Sequence, residues 1–362
     1  MLLYRALNYD DLNHYNNNED ICCSLVDTYN QDKNIKNVSI YYDLCINGDF
    51  KYSLDSLIGH VSGLRLGVRK SPWISTSYDF SFTASEYAIP QAGRYNPMKE
   101  RKPIIIMYID EDDIKWQNEE LKLLRDKKVD RCIVDISLGR LNGYFDSGAI
   151  DAEKYNEGMP GYDVIDSINR EINNYKTNIN GFSNYSFASS EVLIYNKIDK
   201  KDIKACIGPK LVDVLYSCGI DMEKYGSFII NNHEEIEDYL KGIDDRFIGN
   251  NLTDILVERY DTIPGRTIED KYGELKDAKM TSLKHAVNLI NFKYNTDFKV
   301  TRLLDNKVLV SNYTDINRFT TKSKNDIIVI EKDNLLYVYD HDKKGYYNQE
   351  TNGIILTKDI KK

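Results

Sequence analysis

Three groups of charged or hydroxyl-bearing residues occur in order along the 362-residue chain. Arg5 stands in the apolar segment "LLYRAL", the hydroxyl run Ser75-Thr76-Ser77 ends the segment "PWISTS", and Glu191 begins the segment "EVLIYNKI". A guanidinium binds phosphate groups through parallel hydrogen bonds, and a carboxylate stabilises a positive charge that develops beside it. A neighbouring hydroxyl can fix the rotamer of such a carboxylate. These residue types indicate a cleft in which strand ends hold a cation, hydroxyls and an acid together.

An aromatic-Arg pair, an S-T-S run and a Glu before an apolar β-run, in this order, resemble the Arg-Ser-Glu class of mono-ADP-ribosyltransferases, which includes cholera-toxin-like enzymes. The resemblance covers roughly residues 1–205 and includes a helix after the S-T-S run and an apolar strand at 102–110. It implies that NAD is the substrate and that its nicotinamide–ribose bond is cleaved. It also implies that ADP-ribose is transferred to a macromolecular acceptor.

The resemblance implies catalytic roles for Glu191, Ser75 and Arg5. Glu191 would stabilise the oxocarbenium-like ribose and hold its 2′-hydroxyl, by the logic of glycoside hydrolysis. Ser75 would fix the Glu191 rotamer, and Arg5 would bind the pyrophosphate or the ribose phosphate end of NAD. No metal is expected to take part. The other residues expected to contact NAD are Thr76, Ser77, His60 and Phe80.

Ser189 marks a departure from the arginine-modifying members of the class, which carry a second acid two residues before the catalytic Glu. A carboxylate there would share a face of an extended segment with Glu191 and accept a proton from a guanidinium acceptor. Serine is a poor general base. As the acceptor-loop residue, Ser189 therefore predicts negligible modification of free arginine or agmatine, with NAD hydrolysis still measurable.

Each group also has a simpler interpretation on its own. Arg5 would then be a surface charge, the S-T-S run a helix N-cap and Glu191 a solvated acid at a strand edge. His60 would be a packed or capping histidine, and Phe80 a core residue. Two other functions stay open: an NAD glycohydrolase, in which water replaces the acceptor, and a non-catalytic NAD-binding or interaction module.

Apolar periodicity predicts the elements that would position these residues. Strands are expected at 2–7, 72–77, 102–110 and 190–199, and helices around 21–26, from Phe80 to Ala88, and at 161–176. Beyond residue 205 we expect a helix at 281–294 and two hairpins, 298–304 with 307–313 and 326–332 with 335–341. Turns are expected at Asp305-Asn306 and Asp333-Asn334.

The predicted fold class is α+β. Residues 1–205 would form the NAD-binding catalytic domain, an ADP-ribosyltransferase-like split mixed β core with flanking helices and NAD in its cleft. Residues 206–362 would form a second, smaller α+β accessory domain, whose role the sequence does not indicate.

Composition and motifs limit the classes of binding partner and the cellular compartment that we expect for this protein. A net charge of -9 and a pI near 5.3 argue against an extended nucleic-acid-binding surface, because cation–phosphate contacts dominate such affinity. No apolar run approaches the roughly 20 residues that span a bilayer, and the N-terminus lacks a signal-peptide pattern. The six cysteines form no C-x-x-C pair, so a zinc ribbon is not expected. These features favour a cytoplasmic protein with no membrane partner, and leave delivery to another cell by a leaderless route open.

Overall fold

The computed structural model describes residues 1–35, 38–48, 51, 56–57, 60, 70–88, 101–115, 131–137, 188–242, 268–303, 308–312, 327–333, 335–340, 345–348, 351 and 353–356. The chain divides into two compact units, residues 1–80 with 106–204, and residues 81–105 with 205–362. Among the described residues, no helix combines the length and the apolar character needed to cross a membrane.

A mixed β-sheet positions the predicted site residues. Its strand order is β5-β6-β7-β3-β1-β4-β9. β3 pairs antiparallel with both β7 and β1, whereas β5 and β6 are parallel. In this register Ser77 stands opposite both Glu191 and Tyr4. The strands are β1 (Leu2–Ala6), β2 (Ile21–Cys22), β3 (Trp73–Ser77), β4 (Ile104–Tyr108), β5 (Ile114–Lys115), β6 (Ile133–Asp135), β7 (Glu191–Tyr195), β8 (Lys197–Ile198) and β9 (Ile203–Ile207).

Two strands of this sheet, β7 and β4, form where the sequence is almost continuously apolar. Every residue of β7 is buried, and so are the first four residues of β4. Such runs are typical of strands covered on both faces. One core cluster joins β3, β6 and β7 to residues outside them, and its members are Leu57, Trp73, Cys132, Val134, Ile136, Leu193 and Tyr195.

Short helices follow strands β1, β2 and β3. Helix α1 (Tyr9–Asn16) begins with a capping box. The Asn8 side chain accepts a hydrogen bond from Asp11 N at 2.9 Å, and the Asp11 carboxylate accepts one from Asn8 N at 3.2 Å. The further helices are α2 (Ser24–Gln31), α3 (Val38–Tyr42), which continues as a π-helical turn at Asp43–Asn47, and α4 (Phe80–Phe82), which continues as a π-helical turn at Thr83–Tyr87.

In the residues that the structure describes, the second unit has three helices of ten residues or more and a five-stranded sheet in the order β10-β11-β12-β13-β14. Helix α5 starts with Pro209 and ends at Gly219, whose φ of +61° suits a glycine C-cap. The elements are α5 (Pro209–Cys218), α6 (Met222–Leu240), α7 (Ile268–Tyr294), β10 (Val308–Asn312), β11 (Ile327–Lys332), β12 (Leu335–Asp340), β13 (Gly345–Tyr347) and β14 (Ile354–Leu356).

Most of the predicted elements that can be compared are confirmed. The mixed α+β class is confirmed, as are the strands at β1, β3, β4 and β7 and the helix at 281–294 within α7. The hairpin of β11 and β12 is confirmed too, with a φ of +56° at Asp333. The helix predicted at 161–176 and the turn at Asp305-Asn306 lie outside the described residues.

Two predictions of local structure are wrong. Ile21 and Cys22 form β2, which pairs with β8, and the helix expected around 21–26 begins only at Ser24. Segment 298–303 is not a strand, and β10 pairs in parallel with β11 instead of forming the predicted hairpin with 298–304. In both segments a long-range strand pairing outweighs the local propensity. The assignment of functions to 1–205 and 206–362 stays a prediction.

Candidate active site around strand β3

Glu191 is held at the start of β7 by backbone contacts on both sides. Ser190 has a φ of +49°, so a turn, and not an extended segment, leads into Glu191. Tyr78 N donates to Ser190 O at 3.2 Å, and Ile136 N donates to Glu191 O at 3.1 Å. The Glu191 side chain is only 9% exposed, and its Oε1 lies 3.9 Å from His60 Nε2. The carboxylate is therefore kept close to an imidazole ring in a largely buried place.

His60 links this acid to the hydroxyl run. Its Nε2 lies 2.8 Å from Ser75 Oγ, and its Nδ1 lies 2.7 Å from Ser71 Oγ. Because a hydroxyl can donate or accept, both neutral tautomers of the ring are satisfied. Burial, reinforced by the positive charge of Arg5, lowers the pKa of His60 to about 4. The ring is therefore neutral at pH 7.

Arg5 is fixed by an acid that the sequence argument did not identify. Its Nε and Nη2 lie 3.0 and 2.8 Å from Asp11 Oδ2, and its Nη1 donates to Ser75 O at 2.8 Å. Asp11 is buried, and Arg5 is 18% exposed. The guanidinium has five N–H groups, so these contacts with described residues leave two for a ligand. The capping pattern of Asn8 and Asp11 was the sequence signal that could have located this acid.

The three hydroxyls of the S-T-S run have different partners. Thr76 Oγ1 donates to Val192 O, and Ser77 Oγ donates to Ser189 O, each at 2.6 Å. Ser77 Oγ also accepts from Asp79 N at 2.9 Å. Thr76 and Ser77 are buried and tie β3 to β7, whereas Ser75 is half-buried and reaches His60. The run therefore fastens the strands together and presents one hydroxyl to the site.

The two remaining predicted site residues, Phe80 and Ser189, are buried. Phe80 is buried, and its ring meets Tyr4 edge-on at 5.5 Å between centroids. Ser189 is buried in the turn before β7, so the extended geometry assumed for the acceptor loop is wrong. The roles of Phe80 toward nicotinamide and of Ser189 toward an acceptor stay predictions.

A second group of polar residues lies beside β7, and the sequence analysis did not identify it. Asp135 stands opposite Val192 in the register of β6 and β7. Its Oδ1 accepts from Ser137 N at 2.9 Å and from Ser137 Oγ at 2.5 Å, and Tyr78 Oη donates to Ser137 Oγ at 3.2 Å. These contacts hold β6 and the end of β3 on either side of the Glu191 strand.

The arrangement brings together a carboxylate, a neutral imidazole, a hydroxyl and a guanidinium, two of whose N–H groups are not engaged by any described residue. Such a group can stabilise a developing cation and bind a phosphate in one place. No protein-family model, curated protein or solved structure significantly matches the chain.

Proposed function

We propose that this protein is a mono-ADP-ribosyltransferase that cleaves the nicotinamide–ribose bond of NAD and transfers ADP-ribose to a macromolecular acceptor. One observation carries the proposal: His60 Nε2 lies 2.8 Å from Ser75 Oγ and 3.9 Å from Glu191 Oε1, while Arg5 donates to the backbone of Ser75. Four polar residues from separate parts of the chain therefore meet around β3. Glu191, Ser75 and Arg5 are of the types expected for this reaction.

Glu191 has the central role in this proposal. Departure of nicotinamide leaves a positive charge on the ribose C1′, and a carboxylate held beside that carbon lowers the energy of the charge. The side chain of Glu191 is largely buried, so the surroundings weaken this interaction less than water would. The nicotinamide–ribose bond breaks with its electron pair going to nicotinamide, a nucleophilic atom of the acceptor forms a new bond to C1′, and the acceptor's proton passes to water.

His60 acts as a positioning residue. A protonated ring would add a second cation next to Arg5 and oppose the charge that forms on the ribose, whereas the neutral ring does not. Its hydrogen bonds to Ser71 and Ser75 leave the ring fixed between β3 and the Glu191 carboxylate. Preorganisation of this kind retains the carboxylate geometry through the reaction.

Arg5 would bind the phosphates of NAD with its remaining N–H groups. The Asp11 carboxylate holds the guanidinium plane, so little side-chain freedom is lost when a phosphate binds. Because this contact exists in the ground state and in the transition state alike, it contributes mainly to substrate affinity.

The fold expected for this function is the split mixed β core of the ADP-ribosyltransferases, with the catalytic part in residues 1–205. The mixed sheet centred on β7, β3 and β1 supports this proposal, because all three predicted groups lie on those strands. The serine at position 189 supports an acceptor other than a guanidinium, because a hydroxyl is a poor general base.

The proposal is tested by incubating the purified full chain with NAD labelled in the adenylate part. We expect release of free nicotinamide together with transfer of label to macromolecules of a cell lysate. Release without transfer would instead establish an NAD glycohydrolase, and neither signal would establish a non-catalytic module.

The matched variant is Glu191→Gln, which keeps the shape of the side chain and loses its charge. We expect nicotinamide release to fall by about two to three orders of magnitude, which corresponds to about 3–4 kcal/mol of lost transition-state stabilisation. The exposed Glu111, whose side chain is 73% exposed, provides the control Glu111→Gln, which should behave as the native protein. Native turnover in Glu191→Gln would reject Glu191 as the catalytic acid.

A further inference from the structure

A second cluster of reactive side chains lies apart from the Glu191 site, where α1, β2 and α2 meet. His14 on α1, Cys22 on β2 and Asp27 on α2 each offer one donor atom, and these atoms lie within 4.8 Å of one another. The three side chains are partly buried, with 24% of His14 and 12% of Asp27 exposed. The cluster therefore combines a nitrogen, a sulfur and an oxygen donor at a place that an ion from solvent can reach.

The contacts of His14 arrange its ring as in many metal sites. His14 Nε2 lies 2.9 Å from Asp27 Oδ1, and His14 Nδ1 lies 3.2 Å from Glu19 Oε2. In metal sites the ligating histidine commonly gives its other ring nitrogen to a carboxylate, which fixes the tautomer and strengthens the ligand. Glu19 stands in that position, so Nε2 is the nitrogen left for an ion.

The spacing of the donors suits a tetrahedral ion. With Zn–N near 2.0–2.1 Å, Zn–O near 2.0–2.2 Å and Zn–S near 2.3 Å, tetrahedral donors lie about 3.3–3.6 Å apart. The His14–Asp27 pair has to open by about 0.4 Å from its present 2.9 Å, and the other donor separations, none above 4.8 Å, have to close by about 1.2 Å at most. Side-chain rotations can produce changes of this size.

The donor types select the ion. A thiolate with an imidazole favours Zn²⁺ over Mg²⁺ or Ca²⁺, which prefer oxygen ligands alone. The ligation of a thiolate and a carboxylate also neutralises the charge of a divalent cation. The absence of C-x-x-C pairs argues against a zinc ribbon, but it does not argue against a site made of one His, one Cys and one Asp.

We propose that His14, Cys22 and Asp27 bind one Zn²⁺ ion, with Glu19 orienting the His14 ring and water as the fourth ligand. The ion would join α1, β2 and α2. This site does not depend on the proposed reaction with NAD, and its test does not use enzymatic activity.

The test is a titration of the chelator-treated full chain with Zn²⁺ by calorimetry, and with Co²⁺ by absorption spectroscopy. We expect one ion per chain, tetrahedral Co²⁺ bands and a thiolate-to-Co²⁺ charge-transfer band. His14→Gln, Cys22→Ser and Asp27→Asn should each weaken binding at least 10-fold, and Glu19→Gln should weaken it about 10–100-fold. Circular dichroism of each variant checks that it is folded.

Two controls outside the cluster are matched in residue type. His285 is exposed on α7 and Cys206 is half-buried on β9, and His285→Gln and Cys206→Ser should leave the affinity unchanged. Absence of one-to-one binding by the native chain would overturn the proposal. Binding that survives in the folded His14→Gln and Cys22→Ser variants, or that lacks the charge-transfer band, would overturn it as well.

Discussion

Stability at acidic pH provides a direct test of the environment of His60, because the ring is kept neutral by burial next to Arg5. Its pKa falls from the ordinary 6.5 to about 4 in the folded protein. As the pH decreases, the unfolded chain therefore binds a proton on this residue before the folded protein does. The stability that neutral His60 contributes is present above about pH 6.5 and is lost as the pH falls toward about 4.

The size of the effect follows from proton linkage. With pKa values of 6.5 unfolded and about 4 folded, the free energy of unfolding decreases by about 2 kcal/mol between pH 7 and pH 4.5 through this residue alone. Other groups titrate in the same range. The difference between the native protein and a His60 variant isolates the contribution of His60.

We expect His60→Gln to remove this part of the pH dependence. The amide keeps a hydrogen-bonding group near Ser75 and does not titrate. Urea unfolding of both proteins at pH 7, 6, 5 and 4.5 should show a stability difference that changes by about 2 kcal/mol across the series, the native protein losing more on acidification.

In the chelator-treated protein, His14 provides a control of opposite sign. Hydrogen bonds to Asp27 and Glu19, together with their negative charges, raise the pKa of His14 despite the opposing effect of burial, which is the largest single influence. Its contribution is present at pH values below about 6.5 and is lost as the pH rises, so His14→Gln should change the pH dependence in the other direction.

A change of less than about 0.5 kcal/mol in the His60→Gln series would refute the buried, neutral ring.

Three further perturbations test the contacts around β3. Asp11→Asn should lower the free energy of unfolding, measured by urea denaturation, by about 2–3 kcal/mol, because it leaves the Arg5 charge without its partner. The control Asp10→Asn, at an exposed position, should lower it by under about 1 kcal/mol. Equal losses in the two variants would contradict the pairing of Arg5 with Asp11. Arg5→Ala should raise the KM for NAD by about 10–100-fold with little change in kcat. Arg5→Lys should restore only part of the affinity, because an ammonium lacks the planar set of N–H donors of a guanidinium. An unchanged KM in Arg5→Ala would make Arg5 a structural residue alone. Ser77→Ala should destabilise the protein by about 1–3 kcal/mol in the same denaturation assay, because Ser189 O and Asp79 N lose a buried partner; unchanged stability would contradict these bonds.

The strands that carry the candidate site could be predicted from local sequence patterns. The apolar runs around Arg5, before Ser75 and after Glu191 predicted strands β1, β3 and β7, and each of these strands forms. A run of apolar and β-branched residues favours an extended, buried backbone wherever the chain goes, so the type of element follows from neighbouring residues.

Local patterns were insufficient where a distant segment competes. Ile21 and Cys22 form a strand because β8 offers a partner for them, and β10 pairs with β11 instead of with the residues just before it. The turn at Ser190 likewise replaces the extended segment that the spacing of Ser189 and Glu191 suggested.

Only the tertiary structure decided which side chains meet. The order of residues placed a hydroxyl run and an acid on separate strands, and the antiparallel register of β3 and β7 then set Ser77 opposite Glu191 and left Ser75 to His60. The pairing of Arg5 with Asp11 depends on how helix α1 leaves β1. Contacts of this kind depend on strand register, turn geometry and burial. Register and burial are set by pairing between segments far apart in the chain, which the periodicity of a single segment does not encode.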